Sequence, residues 1–136
     1  MSFIIDTNIL SEGMRAKPSA RVAAWLQSIP TADQYFSTLS VGEIRYGLAR
    51  MNSGQRRDTL LHWLEHDLKL KHQSRILPVT LGVAERWGRL KWEARRTLPV
   101  ADSLIAATAL HHGFTLATRN TKDFSGLGLK LVDPFA

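Results

Sequence analysis

At 136 residues, 44% hydrophobic and with 18 Lys and Arg against 12 Asp and Glu, the chain fits one domain with a core of its own and a net charge of +6. The absence of cysteine excludes disulfides, iron–sulfur clusters and thiolate zinc sites, no apolar run approaches the ~20 residues of a membrane helix, and Asp6 breaks up any signal-peptide core, so a cytoplasmic protein is expected. A pI near 10.2 points to a polyanionic partner without saying which one.

Ser2–Ile5 is a short apolar run halted by Asp6, the pattern of a buried strand. Ser19–Ile29 lies between Pro18 and Pro30, a helix bounded by proline on both sides. A second strand, Tyr35–Thr38, leads into Ser40–Met51, where Val41, Ile44, Leu48 and Met51 form one helical stripe. Gln55–Lys71 reads as one helix with Leu60, Leu61, Trp63, Leu64 and Leu68 among charges, and residues 52–74 match no motif. The strand Ile76–Val79 precedes a helix over Thr80–Thr97 with Val83, Trp87, Leu90 and Ala94 on one face. Ala101–His112 is apolar almost all round and stops at Gly113, a natural residue just past a helix. Strands Phe114–Thr118 and Lys130–Val132 follow. Strands alternating with helices predict a single α/β domain, residues 1–136, with a mainly parallel sheet of four to five strands. In such sheets, sites form at the carboxyl ends of the strands.

Four acids stand in positions suited to such a site. Asp6 ends the first strand, Glu43 lies early in the helix from Ser40, Asp102 opens the apolar helix, and Asp123 sits in the loop after Phe114–Thr118. Only the fold can bring residues so far apart together. Crowded carboxylates repel and need a cation; hard ions such as Mg²⁺ or Mn²⁺ prefer oxygen ligands and can activate water for phosphodiester hydrolysis. Each acid also has a structural alternative: Asp6 and Asp123 as turn residues, Glu43 as partner of Ser40 in an S-x-x-E capping box, Asp102 as an N-cap. Asp102, however, shares a helix face with Ile105, Ala106 and Ala109, where a lone carboxylate is costly.

The stretches FIIDTNILSE, STLSVGEIRYGL, PVADSLIAATALHHG and LATRNTKDFSGLGLKLVDPF occur in order along the whole chain. In this the sequence resembles PIN-domain ribonucleases, most of all the VapC-like toxins of bacterial type II toxin–antitoxin pairs. The resemblance implies a three-layer sandwich with a mainly parallel central sheet flanked by helices. It further implies a metal site of Mg²⁺ or Mn²⁺ at Asp6, Glu43, Asp102 and Asp123, supported by Thr7 and Asn120. Asp6 and Asp102 are the expected direct ligands, with Glu43 and Asp123 acting directly or through water. The implied activity is endonucleolytic hydrolysis of RNA. The implied partners are a VapB-like antitoxin, a second copy of the chain, and operator DNA reached through the antitoxin.

Arg15, Lys17 and Arg119 flank the acids and are candidate phosphate contacts, although a plain surface role fits them equally. Five cations fall between Arg86 and Arg96, as on a solvated helix face. Trp92 falls opposite the apolar stripe of its helix, which favours a subunit or antitoxin interface over stacking on an RNA base. His62 and His66 have a zinc-binding spacing but no third ligand. Two other classes compete. A haloacid-dehalogenase-type phosphatase also puts an Asp after its first strand, but needs a D-x-D pair where this chain has Asn8. A non-catalytic basic nucleic-acid-binding module explains the charge but not four acids at strand ends.

Overall fold

The computed structural model describes residues 1–136. Five strands, β1 (Phe3–Ile5), β2 (Gln34–Ser37), β3 (Ile76–Leu77), β4 (Thr115–Ala117) and β5 (Leu131–Val132), form one sheet in the order β3-β2-β1-β4-β5. Every pairing is parallel, so the sheet is wholly rather than mainly parallel. All five expected strands are present. The second is shifted by one residue, gaining Gln34 and losing Thr38 to the next helix, and the others lose one or two terminal residues each.

The central strand shows why both faces of the sheet must be covered. Successive side chains point to opposite sides, so Phe3 and Ile5 enter one core while Ile4 enters the other. Its neighbour β4 divides the same way, Leu116 to one core and Ala117 to the other. Such fully buried side chains contribute about 1.5–3 kcal/mol each.

Helices α2 (Ala20–Ser28) and α3 (Thr38–Ala49) supply Val22, Ile44 and Leu48 to the first core. Helices α5 (Leu81–Ala94) and α6 (Val100–His112) close the second with Val83, Leu90, Ile105 and Ala109. The long helix expected over Gln55–Lys71 is divided. Helix α4 (Gln55–His62) passes at Trp63 into a π-helical segment, Trp63–Leu70. The wider turn holds residues four apart closer to one line, and Leu64 and Leu68 both sink into the first core.

Capping residues explain several boundaries. Ser19, Ser37 and Thr80 each accept a backbone N–H of the helix that follows. Gly113 closes α6 at φ 73°, a left-handed conformation that glycine adopts without strain. Two short helices, α1 (Thr7–Leu10) and α7 (Thr121–Phe124), escape periodicity arguments because four residues hold barely one turn.

Candidate functional site

Strand register builds the floor of the site. Ile5 pairs with Ala117, so the residues one step beyond, Asp6 and Thr118, emerge side by side at the carboxyl edge. The backbone N–H of Asp6 donates to the Ala117 carbonyl at 2.9 Å. The Thr118 hydroxyl donates to Asp6 Oδ2 at 2.7 Å, and Asn8 Nδ2 reaches the same oxygen at 3.3 Å. The Thr7 N–H donates to Asp6 Oδ1 at 2.7 Å. Asp6 thus caps α1, as its structural alternative had it, and also aims a carboxylate that is only 1% exposed.

Glu43 is reached from α3. Ser40 and Glu43, three residues apart, share a helix face, and both meet Thr7. The Thr7 hydroxyl donates to Glu43 Oε1 at 2.7 Å, so its 2.8 Å contact with Ser40 Oγ uses the serine proton. The capping-box alternative for Glu43 is therefore overturned: Ser37 caps α3, and the Ser40 and Glu43 side chains point at Thr7 instead. Asp102 is not an N-cap either. Pro99 holds that place, and Asp102 lies half-buried in the first turn of α6. Asp123 lies in α7, not in a loop, with its side chain exposed.

Electrostatics ties these acids together. Burial pushes the Asp6 carboxyl up to about 6, helped by the charges of Asp102 and Glu43 and opposed by the Thr118 and Thr7 hydrogen bonds. Asp102 is raised as well, first by burial and then by Glu43 and Asp123. None of the four has an ion-pair partner; the acids in ion pairs are Glu12, Glu65 and Glu93. No three His, Asp or Glu side chains converge tightly enough to hold a metal by direct ligation alone. The donor set instead fits a hard cation that keeps much of its water and takes one or two carboxylates directly. A cavity of about 570 Å³ lies elsewhere, between α1 and the α4–π segment. It is lined by Leu10, Phe36, Trp63 and Leu68 among others and by none of the four acids; from residues 52–74 it is Leu64 and Leu68 that enter the first core.

Asn120 N–H donates to Thr118 Oγ1 at 3.0 Å, so this loop residue steadies Asp6 through its backbone. Arg119 N–H holds Asn8 Oδ1 at 3.2 Å, while its guanidinium lies over the Phe135 ring at 4.2 Å. Arg15 pairs with Glu12 at 3.3 Å, and Lys17 is exposed. The His62 and His66 rings lie tilted at 37° with centroids 4.3 Å apart and belong to no three-residue metal-binding group. Thr118 and Ser40, both buried, are site residues that sequence patterns did not single out. A hydroxyl just past an apolar strand was the available signal for Thr118. Arg96 is a further addition: its Nη2 donates to the Asp123 carbonyl at 2.7 Å, tying the turn after α5 to α7.

The fold and site define a parallel α/β protein with carboxylates from four separate segments set around the end of its central strand. The chain belongs to the PIN-domain family, whose model matches residues 3–128. It is 36% identical to the VapC ribonuclease Y4jK of Sinorhizobium fredii, covering 97% of this chain and 96% of that one. It is 35% identical to the toxin FitB of Neisseria gonorrhoeae, with 97% of both chains covered. A solved structure of FitAB bound to an IR36 DNA fragment superposes with a TM-score of 0.93 at 34% identity, covering 98% of this chain and 96% of that one.

Proposed function

We propose that this chain is a divalent-metal-dependent endoribonuclease that acts as the toxin of a toxin–antitoxin pair. The observation that carries the reading is Asp6: a buried carboxylate with no cationic side chain beside it, its ionisation opposed by Asp102 and Glu43. A protein keeps such an arrangement at a cost, and a bound cation offsets it. The PIN family and the relative named a VapC ribonuclease support hydrolysis of RNA. The relative named a toxin, with its FitAB assembly on DNA, supports a cognate antitoxin and a DNA-bound complex reached through it. A homodimer and a cytoplasmic setting belong to the same reading; no helix is long and apolar enough to cross a membrane.

Asp6 and Asp102 would hold Mg²⁺ or Mn²⁺, with Glu43 and Asp123 contributing from the rim. When bound, the ion supplies charge for the developing phosphorane and lowers the pKa of attacking water. The chain's own groups do the rest. Thr118, Thr7 and Asn8 fix the orientation of the Asp6 carboxylate through three hydrogen bonds. Thr7 fixes Glu43, whose exposed carboxylate orients water and accepts its proton. Arg119, just past β4, would supply a phosphate contact for the substrate.

The test is cleavage of RNA with and without Mg²⁺ or Mn²⁺ by wild type, Asp6→Asn and Glu43→Gln. Wild type should cut only with metal, and both variants should lose at least about a hundredfold in rate. Full activity in EDTA, or an Asp6→Asn enzyme as fast as wild type, would sink the assignment.

A further inference from the structure

We propose that the exposed end of α5 beside the carboxylates is a subsite for the RNA strand, with Trp92 as a stacking surface for one base and Arg89 and Arg95 as phosphate contacts. The proposal rests on the nuclease reading above. Trp92 is 68% exposed, an aromatic area that a merely solvated helix has no need to carry. The Arg95 guanidinium lies over its ring, 4.2 Å from the centroid. Arg95 is also the chain's one non-glycine residue at positive φ, 56°. That conformation is disfavoured for a residue with a Cβ, and it ends α5 with the guanidinium against the ring. One turn earlier Gly88 leaves the neighbouring surface bare, since a Cβ there would meet nothing within 4 Å. Glu85, Gly88, Arg89, Trp92 and Glu93 bound a shallow hollow of about 560 Å³ there.

Topology puts this hollow at the right end of the molecule. Helices α5 and α6 run antiparallel: Gly82, early in α5, lies against His111, late in α6. Further along, Trp87 Nε1 donates to Ser103 Oγ at 2.9 Å. Trp92 lies five residues past Trp87, about 7.5 Å further along the axis, towards the end where Asp102 opens α6. Arg96 completes the link through its 2.7 Å bond to the Asp123 carbonyl.

Charge selects the occupant. Between Glu85 and Arg96 five cations face two acids, a net +3, and Glu93 is already paired with Arg86 at 2.8 Å. Arg89 and Arg95 make no ion pair. A phosphate backbone satisfies them, which favours an RNA strand over the subunit or antitoxin interface expected from the position of Trp92 on its helix. A base on the Trp92 ring with the adjoining phosphates on arginine is the usual way a single strand is held without reading its sequence.

The experiment measures binding of a short labelled single-stranded RNA to Asp102→Asn protein in Mg²⁺, alone and with Trp92→Ala, Trp92→Phe or Arg95→Ala added. Cleavage kinetics are run in the wild-type background. Trp92→Ala should weaken binding about tenfold and raise KM with kcat nearly unchanged, and Trp92→Phe should retain most of the affinity. Arg95→Ala should lower the salt slope of binding by about one. If Trp92→Ala binds RNA as tightly as its parent while wild type still cleaves, the subsite is wrong and the nuclease reading stands. A Trp92→Ala protein whose mass in sedimentation falls while RNA affinity holds assigns the surface to a protein contact and overturns the proposal. Failure of wild type to cleave RNA removes the nuclease reading itself.

Discussion

Replacing Asp6 by Asn should make the metal-free protein more stable at neutral pH while destroying its activity. The reason is the position of the Asp6 carboxyl, which burial and neighbouring acids raise from 3.8 to about 6. The folded state therefore binds the proton more tightly than the unfolded state. The stability this proton contributes is fully present below about pH 3.8, is lost as pH rises to about 6, and stays lost above that. A difference of this size corresponds to about 3 kcal/mol. Asparagine removes the charge, but its amide nitrogen would meet the Asn8 amide and the Thr118 hydroxyl that now serve the carboxylate. That mismatch returns about 1 kcal/mol. The net gain at pH 8 is about 2 kcal/mol, or about 6 °C in melting temperature for a chain of this length. Urea denaturation in EDTA at pH 4 and pH 8 measures it. Asp6→Asn should be the more stable at pH 8, lose that advantage at pH 4, and keep a shallow slope owed to Asp102. An Asp6→Asn protein less stable than wild type at pH 8, or one with the wild-type slope intact, would refute the electrostatic reasoning. Saturating Mn²⁺ should reverse the order, because a ligand at a hundred times its Kd stabilises by about 2.7 kcal/mol and only wild type keeps the full site.

Three further substitutions probe the frame around the site. Thr118→Val deletes the hydroxyl that donates to Asp6 and accepts from Asn120; it should cost about 2 kcal/mol and move the Asp6 titration, followed by NMR, to higher pH. Leu64→Ala empties a fully buried position on the π segment and should cost about 2–5 kcal/mol by denaturant melting, with the catalytic residues untouched. In Gly82→Ala the new Cβ would stand 2.4 Å from His111 Cε1, yet that ring is exposed and can turn away. The loss should stay near 1 kcal/mol and largely vanish in the Gly82→Ala/His111→Ala double variant, a non-additivity that a double-mutant cycle reads directly.

Much of the frame was legible because burial writes itself as pattern. Runs such as Phe3-Ile4-Ile5 and Leu116-Ala117 are apolar throughout, since both faces of a parallel sheet are covered. The four acids were legible through their flanking stretches, and the strand-end position of Asp6 follows from its place after Ile5. Their bonding was not. That Glu43 answers to Thr7 rather than to Ser40's helix cap depends on how α1 meets α3, a contact 36 residues apart in sequence. Thr118 was hidden for the same reason, its role being set by register between β1 and β4. The π turn at Trp63 has no periodic signature over eight residues, and the Arg96–Asp123 bond joins the turn after α5 to a helix too short to carry a pattern.

The parallel order of the sheet also sets a clock on the protein's own manufacture. The hydroxyl that orients the Asp6 carboxylate lies 112 positions downstream of it. Until β4 has been synthesised and has docked beside β1, the carboxylate has no fixed direction and the site does not exist. An enzyme that cuts RNA while still attached to a translating ribosome would endanger its own message. Strand order, by drawing the site from segments 112 positions apart, withholds activity until the chain through β4 has been made.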